Sequence, residues 1–266
     1  MEIKMKKDYP RFLKVIKLPQ CVSTNTYLKN HFEQLKDNFP VLITSALQTS
    51  GRGREQRTWT SPKGKGLYSS FGFYFQSRHN LSLLPLIAGI SVIETLKQIS
   101  GIETGMKWPN DILWKKQNKK IAGILIENAI METHLFCITG IGINLNHSIE
   151  DFPAEVADRA ISLKTAVHSR RNFHAKKVNP ILSHCFFHWL EKLELNERAL
   201  IIQKANEYSE FLLNEPITFH HLGGIVTGTF KGIHDDGGLK LENDNGELSI
   251  YYSGEVETRR KMMNEE

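Results

Sequence analysis

Apolar residues recur along this chain at two spacings, and the change from one spacing to the other lays out its elements. Ser23 or Thr24 caps a helix that runs to about Leu35, with Leu28, Phe32 and Leu35 on one face. Compact apolar runs predict buried strands over residues 41–49 and 67–75. Pro85 opens the next helix, where Leu86, Ile90, Ile93 and Leu96 keep helical spacing until Gly101 stops it. Short strands follow at 103–107, 112–114, 120–127 and 134–144, then an amphipathic helix pair at 178–193 and 198–213. Strands outnumber helices in the first half. The class expected is therefore α/β (α+β), with a mixed, largely antiparallel sheet flanked by helices.

The rhythm changes at Glu215-Pro216. Beyond it, short alternating stretches are divided by glycine turns at Gly223-Gly224, Asp235–Gly238 and Asn243–Gly246. Such spacing predicts a small β-barrel, so the chain divides into residues 1–214 and 215–266. By pattern alone, the second unit reads equally well as a generic interaction module.

Composition narrows the class only a little. The 266 residues can hold a full core plus a small second unit. With 34 Lys+Arg against 29 Asp+Glu the net charge is +5, suited to anionic substrates but short of a dedicated nucleic-acid binder. Cys21, Cys137 and Cys185 stand far apart in apolar surroundings, which predicts buried free thiols in a reducing, cytoplasmic setting. The N-terminus is basic without an apolar core, so no signal peptide is expected. No stretch is expected to reach the apolar length of a membrane helix.

Candidate chemistry concentrates in three segments. In QTSGRGREQRTWTSPKGKGLYSS, Gln48 to Ser70, two glycines and three arginines fall within seven residues. Glycine lets backbone N–H groups approach a ligand, and arginine offers permanent planar donors to carboxylate or phosphate. A loop of this kind holds a compact anion, or serves merely as a solvated turn. It is not a P-loop, since no G-x-x-x-x-G-K-[ST] occurs, nor a dinucleotide fingerprint, because Gln56 stands at the third glycine position. In MKWPNDILW, Pro109 bars regular pairing and sets Asn110 and Asp111 at a turn, where Asp111 beside Trp108 and Trp114 is partly desolvated or satisfies its own backbone. In KKIAGILIEN, Ala122 and Gly123 leave room for a ligand against the strand, while Lys119 and Lys120 read as ligand-facing cations or as edge-guarding charges. His184 and His188 stand four apart on a helix, but Cys185 occupies the place of a zincin glutamate and aromatic residues surround the pair, so no metal site is expected. His220 and His221 point to opposite faces of a strand.

Taken in order, STN at 23–25, Q-x-x-GRGR at 48–54, W-x-SP-x-G-x-x-LY at 59–68, KWPND at 107–111, K-x-AGIL-x-E at 120–127 and G-x-G-x-N at 140–144 resemble the biotin protein ligases. The likeness runs from about Pro10 to Val256 and includes the glycine-punctuated end, which matches the family's SH3-like cap. The chain departs from the family pattern at Glu55 and Gln56, where another glycine is frequent, and at Ser50, where alanine is common. Both changes bear on closure of the loop.

The resemblance implies a class II synthetase-like catalytic unit that joins biotin to AMP and then to a lysine of a biotin carboxyl carrier protein domain. ATP and biotin are its substrates, with Mg²⁺ held mainly through the ATP phosphates. It assigns chemistry to Lys120, Arg52, Arg54 and Asp111. Ser23, Thr24, Asn25, Gln48, Gly51, Arg52, Gly53, Arg54, Lys120, Gly123, Leu125, Gly140 and Gly142 would surround biotin. Arg52, Arg54, Trp59, Asn110, Lys120 and Asn144 would meet the nucleotide. A lipoate or octanoate ligase, or a non-catalytic biotin-binding protein, are the competing expectations. Barely twenty residues precede Ser23, too few for a helix-turn-helix, so no specific DNA and no membrane are expected as partners; a homodimer is compatible with the sequence.

Overall fold

The computed structural model describes residues 13–75, 78–130 and 135–257. Strand β1 (Lys14–Leu18) precedes helices α1 (Thr24–Asn30) and α2 (Phe32–Leu35), strand β2 (Val41–Ser45) and strand β3 (Gly66–Phe75). Helix α3 (Leu84–Ser100) leads to β4 (Thr104–Lys107), β5 (Asp111–Trp114), β6 (Lys119–Ile130) and β7 (Leu135–Asn144). After the short helices α4 (Ala154–Ala157) and α5 (Leu163–Ala166) come α6 (Ala175–Glu194) and α7 (Arg198–Glu207). The C-terminal part contains β8 (Pro216–His221), β9 (Gly224–Ile233), β10 (Leu239–Glu242), β11 (Leu248–Tyr251) and β12 (Glu255–Val256).

The first seven strands make one sheet in the order β1-β2-β3-β7-β6-β5-β4. Only β1 and β2 pair in parallel, so the sheet is mixed and mostly antiparallel, as the pattern predicts. The last five strands form a second, antiparallel sheet, β11-β10-β9-β8-β12, turning at the glycine clusters read from the sequence.

Strand alternation divides the core. Leu42 faces the large cluster built with α3 and α6, whereas Val41 and Ile43 face a smaller one with Leu28, Leu35, Phe136 and Ile138. On the large side Phe71 stacks on Phe186, with ring centroids 4.5 Å apart. That cluster also takes in Phe219, Phe230, Leu241 and Val256, so the second sheet shares the core of the first. Helix α3 behaves as its sequence requires: Pro85 sits in its first turn, and Gly101 closes it in the left-handed region at φ 72°.

Several expectations need correction. Residues 24–35 are two helices rather than one, broken at His31, because apolar spacing survives a break in the backbone. The strand expected over 41–49 ends at Ser45. Gln48 instead lies in an isolated bridge to Cys21. Helix α7 stops at Glu207, not Leu213, since residues 208–210 turn to bond Met106 on the open edge of β4. Cys137 and Cys185 are buried, but Cys21 is half-buried. Burial pushes the Cys137 thiol up to about 12 and the Cys185 thiol up to about 11. The segment Asn80–Ser100, with mean hydropathy 1.3, is long and apolar enough to cross a membrane, contrary to expectation; 67% of its apolar window is buried in the core. His134, the expected start of β7, and the basic N-terminus lie outside the described residues.

Candidate active site

The three segments singled out from the sequence converge on one cleft of about 640 Å³ at the face of β6 and β7. Ser23, Thr24, Asn25, Gln48, Arg52, Gly53, Arg54, Trp59, Asn110, Asp111, Lys120, Gly123, Leu125, Gly140, Gly142 and Asn144 all line it. Gly51 does not. It stands behind the loop, where its carbonyl accepts the Trp59 N–H at 2.9 Å and an added Cβ would strike the Trp59 carbonyl.

One end of the cleft is a polar pocket. Ser23 is the extended N-cap of α1, but its hydroxyl makes no capping bond, so the helix does not consume it. The Gln48 Oε1 accepts from the Thr24 N–H at 2.8 Å and from its hydroxyl at 3.2 Å, while Nε2 donates to Ser61 at 2.8 Å. Asn25 donates to the Leu125 carbonyl at 3.3 Å and to Glu127 at 2.9 Å. Ser70 Oγ lies 2.6 Å from both Thr24 Oγ1 and Asn25 Oδ1. These donors and acceptors fix one another's rotamers before any ligand arrives.

The floor is bare backbone. Gly123 pairs with Gly142 across β6 and β7, and Leu125 pairs with Gly140. The Trp59 indole lies on this floor: a Cβ at Gly142 would sit 2.5 Å from its Cε2, and one at Gly123 2.9 Å from its Cζ3. The Trp59 Nε1 is buried without a partner among the described residues, a cost that a ligand acceptor would remove.

The other end is cationic, and most of its cations already hold an acceptor. Lys120 Nζ is 2.6 Å from Asp111 and 5.4 Å from the Trp59 ring centroid. Its strand is anchored at that point, since Lys120 N–H donates to the Arg159 carbonyl at 2.7 Å and Ile161 N–H donates back at 3.0 Å. Arg52 stands nearer the polar pocket, paired at 2.6 Å with the same Glu127 that accepts from Asn25. Arg54 donates to Asn110 Oδ1 at 3.0 Å and to the Gly254 carbonyl at 3.2 Å. Asn110 is itself fixed by exchanging bonds with the Ile124 backbone at 2.9 and 3.0 Å.

Sequence reasoning missed four participants. Glu127 closes the K-x-AGIL-x-E motif, and Lys107 opens KWPND, so both were in view without a role. Arg57 was counted only as loop charge. Glu255 belongs to the second sheet, where no local signal marks it. It lies 2.7 Å from Arg57 and 3.6 Å from Lys107. Burial lowers the Lys107 ammonium more than Glu255 raises it. Burial raises the Glu255 carboxyl, yet the Arg57 bond and the nearby Lys107 outweigh it and bring it down. Both directions follow from a pair in which the lysine is the more deeply enclosed partner. The departures at Glu55 and Gln56 have φ of 51° and 60°, so a glycine conformation is occupied by two residues with side chains.

Beneath the cleft, His147 is enclosed between Tyr68, 3.3 Å away, and the stacked ring of Phe152. Burial drives its imidazole down to about 4 from 6.5. The unfolded chain therefore binds a proton that the folded one refuses, and stability falls as pH drops from about 6.5 to about 4. The full loss is about 3 kcal/mol. His147→Phe, which keeps the stack on Phe152, should flatten that part of a melting-temperature profile against pH; an unchanged slope would contradict the assignment. Histidines 184 and 188 are exposed on α6. Among the described residues no group of three or more His, Cys, Asp or Glu side chains is placed to hold a metal ion.

Residues 18–144 match the biotin/lipoate A/B protein ligase family, and residues 212–259 match the biotin protein ligase C terminal domain. The bifunctional ligase/repressor BirA of Bacillus subtilis is 33% identical over 237 residues, covering 86% of this chain and 70% of that protein. Its counterpart in Escherichia coli is 29% identical, covering 91% and 73%. A biotin protein ligase from Aquifex aeolicus, solved in complex with biotin and ATP, superposes with a TM-score of 0.75 at 31% identity over 93% of this chain and 99% of that one. With the cleft above built from the same segments, the chain belongs to the biotin protein ligase family.

Proposed function

We propose that this protein is an ATP-dependent biotin–protein ligase. The observation that carries the reading is a cleft with two unlike ends: a preorganised polar pocket over a glycine floor, and a cluster of cations beside it. A fused-ring vitamin with a ureido group fits the first end, and a triphosphate fits the second. Relatives solved with biotin and ATP, or with biotinyl-5-AMP, support the same assignment.

In the first half-reaction the biotin carboxylate attacks the α-phosphate, a P–O bond forms, and pyrophosphate leaves. Several negative groups must meet, and fixed cations offset their repulsion. Ser23, Thr24 and Gln48 hold the ureido group, with Asn25 supporting the pocket wall. Gly123, Leu125, Gly140 and Gly142 receive the rings and tail once Trp59 yields the floor. Lys120 bridges the carboxylate and the α-phosphate. Arg52 and Arg54 exchange their present acceptors for phosphate or carboxylate oxygens, and Trp59, Asn110 and Asn144 meet the nucleotide. Mg²⁺ would arrive on the phosphate oxygens of ATP and reduce their charge. In the second half-reaction the amine of a carrier-domain lysine attacks the acyl carbon, a C–N bond forms, and AMP leaves. Asp111 orients that amine or takes its proton. In this reading residues 1–214 carry the chemistry, residues 215–266 cap it, and the enzyme works in the cytoplasm.

Incubation with biotin and Mg-ATP should yield biotinyl-AMP and pyrophosphate, detected by mass spectrometry. Lipoate offered in parallel should yield far less adenylate. Biotin bound without pyrophosphate release would make the protein a binder and end the ligase reading.

A further inference from the structure

Charge is distributed unevenly over this molecule. From Arg159 to Leu190 the chain has no Asp or Glu, yet it contains Arg159, Lys164, Arg170, Arg171, Lys176 and Lys177. Since the net charge of the whole chain is +5, this stretch accounts for all of the excess and leaves the remainder close to neutral. None of the six forms an ion pair among the described residues. The cleft cations Arg52, Arg57, Lys107 and Lys120, by contrast, each face a carboxylate. Arg170, Arg171, Lys176 and Lys177 are exposed, as are His168 and His174 between and beside them.

The stretch is held firmly and begins at the active cleft. Arg159 and Ala160 line the cleft, as does Asn144 at the end of β7. Just beyond, Lys164 N–H donates to the Leu145 carbonyl at 2.9 Å, and Asn146 exchanges bonds with the Phe173 backbone at 2.7 and 2.8 Å. Glu155 also lines the cleft and Asp158 precedes Arg159, so the uninterrupted positive surface begins just beyond the rim and continues to the first turn of α6.

We propose that this surface docks an acidic face of the protein that accepts biotin, an inference that rests on the ligase reading above. The acceptor must bring a lysine to the mouth of the cleft, so its body must cover part of the rim. Unpaired positive charge there would steer a negatively charged body and fix its orientation. A single-stranded nucleic acid fits less well, because base stacking needs exposed aromatic rings, and binding of a duplex is an outcome of the test below. Phe173 is packed against the core, and Phe186 and Trp189 are buried.

The test compares wild type with the variant Arg170→Glu, Arg171→Glu, Lys176→Glu, Lys177→Glu, none of which touches the proposed chemistry. Adenylate formation and thermal stability should match wild type. Transfer from biotinyl-AMP to a purified biotin carrier domain should lose about tenfold or more in kcat/KM at low salt. Replacing with lysine whichever Asp or Glu residues lie near that carrier domain's target lysine should restore transfer by the variant. Unchanged transfer, with or without loss of binding to duplex nucleic acid, would overturn the proposal while leaving the ligase reading intact. Absence of adenylate from wild type would remove the ligase reading and this inference with it.

Discussion

Lys120→Ala should lower the rate of biotinyl-AMP formation a hundredfold or more, corresponding to about 3 kcal/mol of barrier. The expectation follows from position as well as charge. Lys120 Nζ stands 2.6 Å from Asp111 over the Trp59 ring, on a strand anchored through its own backbone to residues 159–161. Truncation removes the cation and also leaves Asp111 without its direct ion-pair partner in a cleft that must accept several anions. The double change Lys120→Ala, Asp111→Asn should therefore recover part of the loss in adenylate formation, though not the transfer step. Stability should change little, because the pair is partly exposed and ion pairs of that kind contribute about 1 kcal/mol or less. Single-turnover kinetics followed by mass spectrometry separate these effects. A Lys120→Ala rate within threefold of wild type would remove Lys120 from the chemistry.

Gly142→Ala should weaken biotin binding about tenfold or more, by overpacking that costs about 1–3 kcal/mol. The added Cβ would lie 2.5 Å from Trp59 Cε2, with the rest of the indole close behind. Either Trp59 lifts from the floor or the strand shifts, and in both cases the methyl remains where the ligand must lie. Isothermal titration with biotin reads the effect directly. Unchanged affinity would mean that the rings bind elsewhere in the cleft.

Much of this architecture is legible in the sequence where local chemistry decides the outcome. Pro85 and Gly101 delimit α3 because one lacks an N–H and the other accepts a left-handed backbone. The glycine clusters mark the turns of the second sheet for the same kind of reason. Strand β1 escaped notice because it is an edge strand, with Lys14, Val15 and Lys17 exposed and no strong alternation. The break at His31 was hidden by apolar residues whose spacing continues across it. In the cleft, the motif residues could be named because they cluster along the chain. Their counter-groups could not, since Glu127 is 75 residues from Arg52 and Glu255 is 198 residues from Arg57. Which carboxylate neutralises which cation is settled by the order of strands, and no periodicity encodes that order.

The mingling of Phe219, Phe230 and Val256 with Ile112 and Trp108 in one apolar interior has a bearing on how this enzyme fails. Trp108 also donates its indole N–H to the Gly237 carbonyl at 3.1 Å, so the seam is sealed by polar contacts as well. Damage far from the chemistry, in a turn of the last fifty residues, thus reaches the reacting groups by loosening the wall behind them. Vulnerability to mutation is shared across both sheets.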